Sequence, residues 1–257
     1  MRRSILLLLI ALAALPALAD TTPGADQILA ASDKVRNPDA PFRLSNTLVE
    51  YVGGQARDRV TLTVYARLDT STRQFGTLVR YVDPPRDNGK MVLFNGTNMW
   101  FYDPASKASV RISPQQRLLG QASNGDVVTV NLARDYKPTL AGEEHLQDAD
   151  RQDRDCWHLD LKAATPDAIY ARIEYWVDRT NSHPVKGKFY ADSGRMLKIA
   201  YYHHYAEQLG AQRPTETIII DAVDPRLVTT MGSTDYRYQE IPDAWFQRDY
   251  LPRVPAD

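Results

Sequence analysis

Residues Asn95 to Ser113 read NGTNMWFYDPASKASVRIS, with four bulky side chains from Met99 to Tyr102 held between two turn signals. Asn-Gly between apolar runs marks a hairpin, because a tight primed turn needs positive φ at its centre. Asp-Pro-Ala-Ser-Lys marks a second turn. The stretch therefore predicts a three-strand meander. A two-residue turn at Asn95 and Gly96 sets Phe94 against Thr97 and Val92 against Met99, so Val92, Phe94, Met99 and Phe101 share one face. A loop of Pro104 to Lys107 sets Val110 opposite Phe101 and Ile112 opposite Met99. The other face carries Met91, Leu93, Trp100 and Tyr102 beside Ser109 and Arg111, where Arg can lie over an aromatic ring. The wholly apolar face suits either a closed core or the wall of a cavity.

The pattern continues on both sides of the meander. Upstream, Ala25 to Arg36 places Ile28, Leu29, Ser32 and Val35 on one helical stripe that ends at Asn37-Pro38. Val60, Leu62, Val64 and Ala66 alternate with Thr61, Thr63, Tyr65 and Arg67, the period of a half-buried strand. Phe75 to Val82 is a further strand, stopped by Asp83-Pro84-Pro85. Downstream, Ser113-Pro114 before Gln115 to Leu119 predicts a short helix with a Ser cap and Pro at its first position. Ser123 to Leu132 predicts a second helical piece, against its Val and Thr content. Strands resume at residues 136–146, 155–162, 170–178, 184–190, 196–205, 215–224 and 226–237, and a helical turn follows at 242–248. About a dozen strands with nearest-neighbour connections predict one antiparallel sheet that curls on itself, since a flat sheet of that width leaves long exposed edges. Nothing divides residues 20–257, which read as a single domain.

The first residues, MRRSILLLLIALAALPALAD, have the layout of a secretory signal peptide: two arginines, an apolar run, and small residues before a cleavage point after Ala19. No Cys follows that point to accept a lipid. The chain carries 31 basic and 32 acidic residues, and loss of Arg2 and Arg3 leaves it more acidic, which excludes a nucleic-acid footprint. Cys156 is the single cysteine, so no intramolecular disulfide forms, and DCWHLDL places it as a small hydrophobe within a strand.

Catalytic and metal constellations are weak. His203 and His204 are adjacent on a predicted strand, where neighbours point to opposite faces, so they are not expected to share a metal. His145, His158 and His183 lie in separate segments. Glu216, Asp221 and Asp224 suit strand-end solvation better than a glycosidase pair. Ser193 and Ser233 lack a nucleophile elbow. The expectation is no catalytic residue, no metal and no cofactor.

The first helix with ADQIL, the run YVDPPRDNGKMVLFNGTNMWFYDPASKASVRIS, GQASNGD, the strands YARIEYWVD and DSGRMLKIAYY, and the terminal DAWFQRDYL together resemble the periplasmic outer-membrane lipoprotein-sorting proteins, a LolA-like family. The resemblance implies a mainly β fold with short helices: an unclosed antiparallel half-barrel of about eleven strands wrapped around a helical lid. It implies an apolar cavity for acyl chains, with Val92, Phe94, Met99, Phe101, Val110 and Ile112 as the candidate lining and Leu118, Leu119, Val127 and Val128 as the candidate lid. A cavity of roughly 300 to 1,000 Å³ would hold at least one chain. The implied function is a monomeric carrier of lipid or lipoprotein acyl chains, loaded by an inner-membrane exporter and emptied at an outer-membrane acceptor. The alternative is a periplasmic sensor using the same half-barrel to detect mislocalised lipid or protein.

Overall fold

The computed structural model describes residues 22–255; the expected signal peptide, residues 1–19, and its cleavage point lie outside them. Helix α1 (Ala25–Arg36) has the predicted bounds and buries Ile28, Leu29, Ser32 and Asp33. The first run of strands is β1 (Phe42–Val52), β2 (Gln55–Asp69), β3 (Gln74–Asp83), β4 (Met91–Asn95), β5 (Asn98–Asp103) and β6 (Ala108–Ile112). A connecting segment holds the short strands β7 (Arg117–Leu119) and β8 (Ala122–Ser123) and the one-turn helix α2 (Leu132–Asp135). The second run is β9 (Tyr136–Gln147), β10 (Asp153–Ala163), β11 (Arg172–Asp178), β12 (Pro184–Tyr190), β13 (Met196–Gln208), β14 (Ala211–Asp221) and β15 (Leu227–Tyr238).

The two runs form two antiparallel meanders joined where β1 pairs β15, giving one sheet of 13 strands in the order β6-β5-β4-β3-β2-β1-β15-β14-β13-β12-β11-β10-β9. Its edges, β6 and β9, are the strands that the 113–135 segment connects. The sheet therefore stays open where that segment crosses it. Strands far apart in this order share one core: Val79 and Val92 pack in the same cluster as Leu159 and Ile173. Only a sheet curled around α1 and the connecting segment brings them together.

The central hairpin differs from expectation by two residues. Phe94 pairs with Met99, Val92 with Phe101 and Asn95 with Asn98, so the turn is Gly96-Thr97. Gly96 has φ +61°, and glycine at the first central position makes a type II′ turn. Asn95 stays in its strand, its amide donating to the Phe246 carbonyl at 2.9 Å. A shift of two preserves side-chain parity, so the expected faces stand. The third strand has the expected register, with Phe101 opposite Val110 and Met99 opposite Ile112.

All four residues Met91 to Phe94 are buried, because each face of β4 is covered. Val92 and Phe94 face the interior beside Met99. Met91, Leu93 and Tyr102 face outward with Tyr65 and Leu78, beneath Ile241, Phe246 and Leu251 of the C-terminal segment. Arg248 of that segment, rather than Arg111, lies over the Trp100 ring, 5.0 Å from its centroid. Gly76 permits the close docking, since a Cβ there would sit 2.9 Å from the Phe246 ring.

The two short helices expected in the connecting segment are replaced. Leu118 and Leu119 lie in or at the end of β7, not in a helix. Tertiary hydrogen bonds draw the chain out: the Gln115 amide donates to Ile169 O at 2.8 Å and Gly125 N donates to Pro114 O at 2.7 Å. Further on, helical structure is limited to a 3₁₀ turn at Asn124–Asp126 and to α2, while Val127 to Asn131 run irregularly between them. Consecutive Val127, Val128, Thr129 and Val130 lose too much χ1 freedom in a helix.

Candidate functional site

A cavity of about 170 Å³ lies between the inner face of the sheet and the 113–135 segment, which serves as a lid. Alternation along the strands supplies the sheet wall: Leu44 and Asn46 of β1, Val64 of β2, Ile173 of β11, Phe189 of β12, Lys198, Ala200 and Tyr202 of β13, Thr217 and Ile219 of β14, and Met231 and Ser233 of β15. The lid contributes Gly125 to Val130 and Leu132, and the end of α1 contributes Arg36 and Asn37. Most of this wall is apolar.

One end of the cavity is polar. Lys198, 5% exposed, ion-pairs with Asp126, whose carboxylate also accepts from Ser123 N at 2.7 Å and from Tyr170 OH at 2.8 Å. The Lys198 ammonium stands 5.0 Å from the centroid of the Tyr170 ring. Burial, then the Asp126 carboxylate, hold the Tyr170 phenol well above its ordinary pKa. Ser123, Tyr170 and Lys198 also line a second recess of about 200 Å³ with Gln115, Arg117 and Gln121. The network is thus a polar partition between an apolar chamber and a more polar recess.

The lid is tied down along its length. Gln121 N donates to Thr229 Oγ1 at 2.7 Å, Thr129 N to Thr77 Oγ1 at 3.2 Å, and Asn37 Nδ2 to Val130 O at 2.9 Å. Arg134 binds Asp167 at 2.6 Å and the carbonyl of Thr72 at 2.9 Å. Asp33 of α1 accepts from Ala133 N at 2.6 Å, which satisfies one orphan amide of α2. Burial raises the Asp33 carboxyl to about 6, against the opposing pull of Arg36 and the Ala133 amide.

Among the candidate lining residues, Val92, Phe94 and Met99 are buried in the core, and Phe101 and Ile112 pack against it half-buried. They adjoin the interior but are not in the wall of the cavity. Val110, on edge strand β6, is 51% exposed. Of the candidate lid residues, Val127 and Val128 line the cavity, whereas Leu118 and Leu119 pack against the core from β7. The cavity is smaller than the roughly 300 Å³ expected of a preformed acyl site. The polar partition went unforeseen. Its signal was present: Ser123-x-x-Asp126 is a capping-box pattern, and Lys198 shares the parity of Ala200 and Tyr202.

The expectation that His203 and His204 point to opposite faces is overturned. His204 has φ +52°, and the ladder between β13 and β14 passes from His203 opposite Glu216 to Tyr205 opposite Pro214. The register is unchanged across this step, so the positive φ of His204 alone breaks the alternation, and both imidazoles lie to one side with ring centroids 4.0 Å apart.

An open antiparallel sheet curled over a covered apolar chamber defines an unclosed half-barrel. A family described as "Uncharacterized protein" matches residues 74–253. The LolA superfamily protein from Nitrosomonas europaea is similar over 89% of this chain and 100% of its own, at 29% identity and TM-score 0.78. Two further structures share the fold. A DUF1329 family protein from Desulfovibrio piger has 19% identity and TM-score 0.74, covering 88% of this chain and 97% of its own. A structure described as an outer membrane lipoprotein-sorting protein domain from Vibrio parahaemolyticus has 18% identity and TM-score 0.71, covering 89% and 98%. No curated protein matches. The chain belongs to a LolA-like family.

Proposed function

We propose that the protein is a non-enzymatic periplasmic carrier that shields acyl chains of lipids or lipoproteins between the inner face of its sheet and its lid. The observation that carries this is the apolar chamber beneath a segment held by side-chain hydrogen bonds and the Lys198–Asp126 pair. Each methylene withdrawn from water contributes roughly 0.8 kcal/mol, so a long acyl chain strongly favours such a chamber over solvent. At about 170 Å³ the chamber must expand to admit one, which requires displacement of Val127 and Val128. The expanded chamber would extend toward Val92, Phe94, Met99, Phe101 and Ile112, which belong to the same apolar interior. The polar partition would meet the headgroup end of the ligand.

The leader directs export, an inner-membrane exporter loads the monomeric carrier, and an outer-membrane acceptor unloads it. Transfer of a fluorescent phospholipid between two vesicle populations tests this. The carrier should accelerate exchange in proportion to its concentration. A sensor would bind a protein partner stoichiometrically and leave the exchange rate unchanged, and failure to bind any fluorescent fatty acid or phospholipid at micromolar concentration would sink the proposal.

A further inference from the structure

Away from the cavity, the outer face of the sheet carries a second built cluster. Lys198, Ala200 and Tyr202 point inward, so by alternation His203 and its partner Glu216 point outward. His203 Nδ1 lies 3.4 Å and His204 Nε2 3.9 Å from Asp150 Oδ1. The three donor atoms fall within 4.8 Å of one another. Ligand atoms of a tetrahedral zinc site stand about 3.3 Å apart, so a small adjustment closes them on one ion.

The opposite nitrogens face a second carboxylate. Glu216 Oε2 is 3.6 Å from His203 Nε2 and 2.9 Å from His204 Nδ1. Metal-binding imidazoles characteristically donate their remaining N–H to such a group, which fixes tautomer and ring orientation. His203 is only 8% exposed, and its Nε2 has no hydrogen-bond partner among the described residues. A metal at Nδ1 would place the proton on Nε2, toward Glu216, and so resolve that orphan.

Backbone geometry presents the set. His204 reaches the cluster through its positive φ, and Asp150 sits in a turn where the Asp148 carboxylate accepts from Asp150 N and Gln152 N, each at 2.9 Å. Arg154 holds Asp148 in place at 2.8 Å. We propose that Asp150, His203 and His204 bind one divalent transition-metal ion, with Glu216 as the positioning carboxylate. Two imidazoles and one carboxylate favour zinc, copper or nickel over calcium or magnesium, and three protein ligands leave a fourth position for water or an external ligand.

Calorimetric titration of metal-stripped protein, purified without a polyhistidine tag, tests this with zinc chloride. One zinc per chain is expected, with no comparable heat from calcium. His204→Asn keeps a residue suited to positive φ while removing the imidazole, and should weaken zinc at least tenfold with an unchanged circular dichroism spectrum. Glu216→Ala should weaken it about tenfold. Should His204→Asn not fold, Asp150→Asn provides the same comparison. Wild-type protein taking up no zinc below about 1 mM, or a folded variant binding as tightly as wild type, would overturn the proposal.

Discussion

Lys198 at the inner face of β13 and Asp126 in the lid form an ion pair whose side chains are 6% and 12% exposed. It joins the wall of the chamber to its cover. Removing one partner of such a pair strands the other charge, which costs about 3 kcal/mol or more, whereas removing both costs much less. Lys198→Met should therefore destabilise the protein by about 3 kcal/mol, and Lys198→Met with Asp126→Asn should recover part of that loss. Urea denaturation of the singles and the double gives the coupling energy. A Lys198→Met variant within about 0.5 kcal/mol of wild type would show that the pair does not hold the lid.

Asp33 connects α1 to the lid, and burial raises its folded pKa to about 6, above the ordinary 3.8 of a free Asp. A raised carboxyl favours folding fully below its unfolded pKa, and that contribution is lost as pH rises through the folded value. The stability of wild type relative to Asp33→Asn should thus fall between pH 4 and 6, by on the order of 2 kcal/mol. Denaturation of both proteins at pH 4 and pH 7 reads the difference directly, and an equal or opposite trend contradicts the assignment.

Met231 lines the cavity half-buried, while Trp100 lies on the outer face under Arg248. In Met231→Glu, an acyl chain in the chamber would desolvate a carboxylate without a partner, at a cost of several kcal/mol on occupancy. Fluorescent fatty-acid affinity should drop at least 100-fold with folding retained. Trp100→Glu should lower thermal stability and leave affinity within about threefold. Phe101→Glu distinguishes the extended chamber from plain core: binding lost in a folded protein supports extension, and unfolding supports core packing.

Cys156 is 1% exposed, on the outer face between Trp176, Val185 and Leu146, and burial pushes its thiol up to about 12. The thiolate is the reactive form, so folded protein should resist thiol reagents at pH 8 and react fully once unfolded. Rapid labelling of the folded chain would be incompatible with this environment.

Much of the fold was legible from local pattern. The bounds of α1, the whole of β12 and the two faces of the meander follow from periodicity, because burying one face selects a period of 3.6 or 2. Parity also explains why the misplaced hairpin turn did no harm: a shift of two returns each side chain to its own face. What exceeded local reading was set by contacts between distant residues. Gln115 and Gly125 draw the lid out of helix by bonding Ile169 and Pro114. The C-terminal segment covers the outer face of β4, which from sequence is a mixed face with Arg111 placed beside its aromatic rings.

The candidate site divides the same way. That Val127, Val128 and Lys198 exist at suitable positions is written in the chain, and the apolar character of the interior follows from composition and alternation alone. Which residues meet there was decided by the curl of the sheet, since β2 and β11 stand well apart in strand order yet share one chamber wall. The alternation rule failed at His204, where a single positive φ reversed a side chain and brought two imidazoles together. Sequence determines the period of a strand, because every residue carries that constraint locally. A reversed residue or a curl depends on neighbouring strands and on the lid, so its position and consequences are settled only by tertiary packing.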